Sequence, residues 1–308
     1  MKKILALACL LSLTVTAQNH EEACDVFIKV NALLQKEHFK PKPVNDSLSA
    51  YVFNKVMEDL DENRMIFLKE DYDLLLVHKF KLDDYLTNKD CSFFEDFISV
   101  YKKALERNKA IISEINSTEF LTTKDSLYYS KKAFPYRPDK QKLTAFIRKK
   151  IVYDIFEDVA KQSRNKDSLR AKLPDVSKIS RDKVIDTYLC RIDGVLNPDS
   201  GFEKSIYHEF YSVFCSYFDP HTAFFSYNDK AAFLSTISSQ NYSLGIYVSQ
   251  NDKEEIIVEE IVPGGPAYKT QIDKGDQIVK LASENREYPV SCASIETINA
   301  ILQICIKK

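Results

Sequence analysis

Glycine is scarce in this chain. Only 6 of its 308 residues are glycine; none precedes Gly194, and four fall between Gly245 and Gly275. A glycine-free stretch of that length disfavours tight β-turns and favours helices. The first two-thirds and the last quarter are therefore different kinds of structure. Charge of one sign is also missing: 43 Lys and Arg against 45 Asp and Glu leave a net charge of −2. That balance gives no support to a nucleic-acid partner, which calls for a basic face. No segment reaches about 18 uninterrupted apolar residues, so no membrane span is expected. CxxC pairs and zinc-type spacings are absent, which argues against a metal, and no cofactor motif stands out. Neither a Gly-x-Ser-x-Gly elbow nor a His-Glu-x-x-His motif occurs, and His208-Glu209 lacks the second histidine.

The composition of what remains, 44% hydrophobic and 29% charged, is that of a folded globular chain. Its length allows one large or two ordinary domains. Lys2 and Lys3, the apolar run Ile4 to Val15 and the small-residue site Val15-Thr16-Ala17 read as a signal peptide over residues 1–17. Export is expected, with periplasmic residence in a host with two membranes. Cys9 raises the alternative of a lipoprotein, which the short apolar stretch before it disfavours. Cleavage after Ala17 leaves Cys24, Cys91, Cys190, Cys215, Cys292 and Cys305. Export permits disulfides, but the apolar neighbours of most of these residues favour buried free thiols.

Helical spacing dominates residues 18–235. Phe27, Val30 and Leu34 mark one helix. Leu48, Tyr51, Val52, Val56 and Leu60 mark a second, with Asp46 or Ser47 as N-cap. Phe93, Phe94, Phe97, Ile98, Tyr101 and Ala104 mark a third, which runs on toward Ile115. Leu143, Ile147, Ile151, Ile155 and Val159 form an i,i+4 ladder. Ser180 is read as the cap of a helix carrying Val184, Ile185, Tyr188, Leu189 and Ile192, with Gly194 at its C′ position. Phe202, Ile206, Phe210, Val213, Phe214 and Tyr217 mark another. The polar stretch 162–183 is read as an exposed loop or short helix. The apolar stripes are wide, so these helices are expected to pack on one another.

Residues 236–308 read differently. Tyr242–Val248 and Glu255–Val262 are strands around an Asn251-Asp252 turn. Pro263-Gly264-Gly265-Pro266 turns into a short helix, and Gln277–Leu281 is a third strand. Ser294 caps a helix with Ile295, Ile298, Ile301 and Leu302. The motifs Leu244-Gly245-Ile246, Ile261–Ala267 and Lys274–Val279, in this order, resemble a bacterial PDZ domain. Upstream, Leu60–Leu68 looks like an early helical motif of the tail-specific, or C-terminal processing, serine proteases. Tyr217–Ser226 looks like the segment those proteins place before their PDZ domain. The fold class expected is a mostly α N-terminal domain followed by a small α/β PDZ-like domain.

The resemblance implies that the PDZ domain captures free protein C-termini, here those of exported proteins. Leu244, Gly245 and Ile246 would receive the terminal carboxylate through backbone N–H groups, and Gly245 permits close approach. Ile246, Val248, Ile295 and Ile298 would form an apolar wall. The same side chains could instead be PDZ core. In the family a Ser/Lys peptidase domain follows the PDZ domain; here only Gln303–Lys308 follows the last helix. The expectation is a truncated recognition portion, inactive alone, whose catalytic half could sit on a separate chain. The three Ser-x-x-Lys pairs, Ser99/Lys102, Ser163/Lys166 and Ser180/Lys183, are what chance placement of 26 serines and 34 lysines supplies. His221, in Asp219-Pro220-His221-Thr222, is a weak candidate base, and Asp219 is better read as fixing the turn. A non-catalytic adaptor or chaperone-like binder is the alternative function, and an inert remnant a third reading.

Overall fold

The computed structural model describes residues 2–116, 127, 135–163, 165–198, 200–225, 244–251, 255–283, 286–292 and 298. Helices come first: α1 (Lys2–Glu37), α2 (Asp46–Leu60), α3 (Lys69–Leu76), α4 (Leu82–Asn88), α5 (Phe93–Asn116), α6 (Lys140–Lys161), α7 (Lys166–Leu196) and α8 (Phe202–Phe218). Strands follow: β1 (Ile246–Gln250), β2 (Ile256–Ile261), β3 (Lys280–Ser283) and β4 (Arg286–Pro289). The chain divides into two compact units. One comprises residues 1–181 and 196–224, the other residues 182–195 and 225–308.

The helical unit is built on aromatic packing. Phe27 of α1 is fully buried, with its ring 5.0 Å from Phe214, 5.4 Å from Tyr211 and 6.1 Å from Phe94. Phe210 of α8 takes Phe93, Phe94 and Phe97 of α5 at 5.2, 5.3 and 4.9 Å, all edge-to-face. This geometry sets the positive ring edge on the negative ring face, and each such pair adds about 0.5–1.5 kcal/mol beyond area burial. Tyr211 satisfies its hydroxyl by donating to the Ala23 carbonyl at 2.7 Å. A disulfide between Cys24 and Cys91 ties α1 to the segment that opens α5. The ladder Leu143, Ile147, Ile151, Ile155 and Val159 is buried along α6, whose Asp139 cap accepts the Lys142 N–H.

Several sequence expectations need correction. The cap of α2 is Asn45, not Asp46 or Ser47; its extended backbone lets Oδ1 accept from Ser47 and Leu48 N–H. Ser180 and Gly194 do not bound a helix, and residues 166–183 are not a loop. α7 runs through all of them to Leu196. Serine is a tolerable interior residue and glycine costs about 1 kcal/mol there, and the helix carries both on either side of fully buried Ile185. The Leu60–Leu68 motif is a turn rather than a helix. Helices α3 and α4 were not foreseen. Four cysteines are paired rather than free: Cys24–Cys91 and Cys190–Cys292. Cys215 is a free, buried thiol, as expected. Truncation of Phe94, the fully buried ring shared by α1, α5 and α8, to alanine should cost about 3–5 kcal/mol. Urea denaturation followed by far-ultraviolet circular dichroism reads this directly.

Candidate functional site

The Asp61 carboxylate organises the turn after α2. Its Oδ1 accepts the Met65 N–H at 2.7 Å, and its Oδ2 accepts those of Ile66 and Phe67 at 3.1 and 2.9 Å. Three backbone donors that would otherwise lie buried and unpaired are satisfied by one side chain. Burial pushes the Asp61 carboxyl up to about 6, against the pull of these three N–H groups and of Arg64. Arg64, in the left-handed region at φ 53°, lays its guanidinium over the Tyr136 ring at 4.5 Å. From α5, Arg107 donates to the Ile66 carbonyl and pairs with Asp71, and Asn108 donates to the Met65 carbonyl. This cluster is scaffold: its carboxylate, guanidinium and amide nitrogens bond the backbone of the turn or brace it. Asp61→Asn removes one of two acceptor oxygens and should cost about 1–3 kcal/mol. The folded-state pKa lies above the ordinary 3.8. The associated stability is therefore complete below about pH 4 and lost as pH rises through about 6. The deficit of the variant should be widest at acidic pH, which denaturation at pH 4 and pH 7 checks.

The Tyr217–Phe225 segment is likewise structural. Asp219 accepts His221 N–H through Oδ1 at 2.7 Å, and through Oδ2 takes His38 Nε2 at 2.7 Å and the Thr222 hydroxyl. The Thr222 and His38 bonds, followed by that from His221, hold its pKa well below the usual carboxylate range. His38 Nδ1 accepts the Lys40 N–H at 3.2 Å, so Nε2 carries the proton toward Asp219. The threonine hydroxyl donates to a carboxylate held too weakly basic to take its proton. His221 is exposed and lends the turn only its backbone. Burial pushes the Cys215 thiol up to about 11, so it stays protonated at neutral pH. Ser180 Oγ is buried without a hydrogen-bond partner, so it is not paired with Lys183. No metal-holding group of His, Cys, Asp and Glu occurs among the described residues. A cavity of about 10 Å³ beside His78, Phe97 and Phe210 has room for roughly one water.

In the second unit, β1 pairs antiparallel with β2 from Ile246↔Ile261 to Gln250↔Ile256, with a bulge between Tyr247 and Val248. Segment 275–278 lies along the other side of β2: Val258 N–H donates to Asp276 O at 2.9 Å and Ile278 N–H to Ile256 O at 2.8 Å. The expected third strand thus contributes a bridge at Gln277, while the strand β3 itself begins at Lys280 and pairs with β4. Strand β2 is therefore central and β1 lies at the edge. Among the described residues no strand pairs with the outer side of β1.

The start of β1 is locked by close packing. Gly245 is buried at φ +74°, and a Cβ there would meet Gly265 Cα at 3.2 Å and Pro266 Cδ at 3.3 Å. Both carbonyls of the Leu244-Gly245 pair turn toward the glycine-proline turn: Leu244 O accepts from Ala267 N–H at 2.9 Å, Gly245 O from Val262 N–H at 2.8 Å. Leu244 is 39% exposed and Ile246 half-buried. Val248 packs against the cluster of Ile256, Val290 and Ile298, with Ile298 fully buried. Ile246 and Val248 lie on the edge strand, entered through Leu244 and Gly245, and Val248 packs on the core that includes Ile298. Ile295, Ile301 and Leu302 lie outside the described residues. Gly245→Ala combines left-handed strain with a clash against backbone and should destabilise this unit by about 1–3 kcal/mol, read as a lowered melting temperature.

A helical domain followed by a small sheet module with a glycine-gated edge strand is the class that fold and site define. Residues 30–228 match the family model described as Tail specific protease N-terminal domain, and residues 234–301 match the PDZ domain. The chain belongs to the tail-specific protease family. It is 25% identical over 251 residues to the "Tail-specific protease" of Haemophilus influenzae, an alignment covering 80% of this chain and 34% of that protein. The chain thus spans about a third of the length of this curated relative. No described helix is long and apolar enough to cross a membrane.

Proposed function

We propose that this chain is the substrate-recognition portion of an exported tail-specific protease. Its PDZ domain binds free, nonpolar protein C-termini by adding them as a strand to the outer edge of β1. The observation that carries this reading is the Leu244–Ile246 entry. Both of its carbonyls are engaged by the 262–267 turn, which reduces the acceptor repulsion an incoming carboxylate meets. The N–H groups around Leu244, Gly245 and Ile246 receive that carboxylate. Leu244, Ile246 and Val248 then line the peptide's apolar side chains, with Ile298 as floor and Ile295 as part of the facing helix. Peptide-bond cleavage is not assigned to the described residues, because the candidate nucleophiles and bases among them are protonated, unpaired or committed to turns. Two disulfides support residence in an oxidising compartment such as the periplasm, in line with the signal-like residues 1–17.

Fluorescence anisotropy with the purified chain and a labelled peptide ending in two alanines tests the reading. Saturable binding is expected, weakened at least tenfold when the terminal carboxylate is amidated, with the peptide intact after incubation. Equal affinity for the two peptides would contradict carboxylate capture. Cleavage would contradict a purely recognising chain.

A further inference from the structure

We propose that the Cys190–Cys292 disulfide makes peptide capture by the PDZ unit dependent on oxidation, and that residues 182–195 of α7 are part of the binding module. The inference rests on the PDZ reading above and adds its control. The second unit is assembled from two stretches separated in sequence, 182–195 and 225–308. The Cys190–Cys292 bond joins them covalently across 102 residues, with Cα atoms 5.4 Å apart. Gly194, in the same helical stretch, keeps the Cys292 carbonyl at contact distance: a Cβ there would lie 3.5 Å from it.

The position of Cys292 gives the bond its leverage. It ends the short helical turn Val290–Cys292, which follows β4 and precedes Ile298. Val290 is buried in one cluster with Ile256 and Ile298, and Val248 of β1 packs against that cluster. Val290 N–H also donates to Val279 O at 3.2 Å. The disulfide thus fixes the segment that sets Val290, and through it the apolar floor under β1. The two disulfides differ in access. Cys24 and Cys91 are 8% and 6% exposed, whereas Cys190 and Cys292 are both half-buried. A thiolate must reach one sulfur to open a disulfide, so the accessible bond is the one that exchanges. Attack by an external dithiol breaks the Cys190–Cys292 bond through a mixed disulfide. The second thiol of the reductant displaces it. Two electrons and two protons end on the cysteines as thiols, and the reductant leaves as its own disulfide.

The test uses the full chain and a fluorescent peptide ending in two alanines, with and without dithiothreitol, while mass spectrometry after alkylation identifies the opened bond. Opening of Cys190–Cys292 should lower affinity at least tenfold. The Cys190→Ser/Cys292→Ser variant should match the reduced protein and ignore the reductant, while Cys24→Ala/Cys91→Ala should keep the reductant response. Hydrogen exchange separates positioning from collapse: β1 and β2 amides should stay protected in the reduced protein while affinity falls. Unchanged affinity with Cys190–Cys292 open would overturn the inference and leave the PDZ reading standing. Loss of β1 and β2 protection would also overturn it, making the bond a stability element only. No carboxylate-dependent binding in the oxidised protein would sink both.

Discussion

The approach of Gly245 to the Gly265-Pro266 backbone is the constraint on which the second unit depends. Its positive φ and the 3.2 Å approach that a Cβ would make to Gly265 favour glycine there. With that contact made, the carbonyls of residues 244 and 245 close onto Ala267 and Val262, and β1 is delivered in register against β2. The outer side of β1 is then presented beside apolar side chains. Everything proposed about peptide capture follows from this placement, since a strand displaced there would lose its register with Ile261 and its packing through Val248.

The helical unit solves a different problem with different means. Poor in glycine, with Gly201 at the start of α8, it turns its chain mostly with side chains. Asn45 and Asp139 cap helices, Asp61 replaces three missing backbone partners, and Asp219 holds the Asp-Pro turn together with His38 and Thr222. Aromatic rings from α1, α5 and α8 supply the core between these turns. The polar clusters that look suggestive of chemistry are therefore consumed by the scaffold. In the Asp61 and Asp219 turns the carboxylates close on backbone N–H groups and neighbouring side chains.

Much of this was legible in the residues. The long helices were, because apolar i,i+4 repeats over three or more turns survive any tertiary setting: the Leu143–Val159 ladder is buried as written. The PDZ-like strands and the glycine-proline turn were too, since positive-φ glycines leave few alternatives. Helices α3 and α4, of 8 and 7 residues, are too short to establish a period. Ser180 and Gly194 misled because cap residues signal locally, whereas the length of α7 is decided by the whole helix. The disulfides were invisible because pairing depends on which Cα atoms the fold brings within about 5–6 Å. The part of Asp61 was hidden for the same reason: its three donors lie in the turn it creates. At the proposed peptide edge, Gly245 is buried against the glycine-proline turn, while Val248 packs on the core that holds Ile298.

The central claim is that a protein C-terminus lies along β1 with its carboxylate at Leu244–Ile246. Amide nuclear magnetic resonance of the full chain, titrated with a free-carboxylate peptide ending in two alanines, tests it most directly. The account predicts the largest shift changes at the amides of Gly245 and Ile246, smaller ones along β1 to Val248, and none of comparable size with the amidated peptide. Shifts confined to the helical unit, or the same pattern with both peptides, would contradict it.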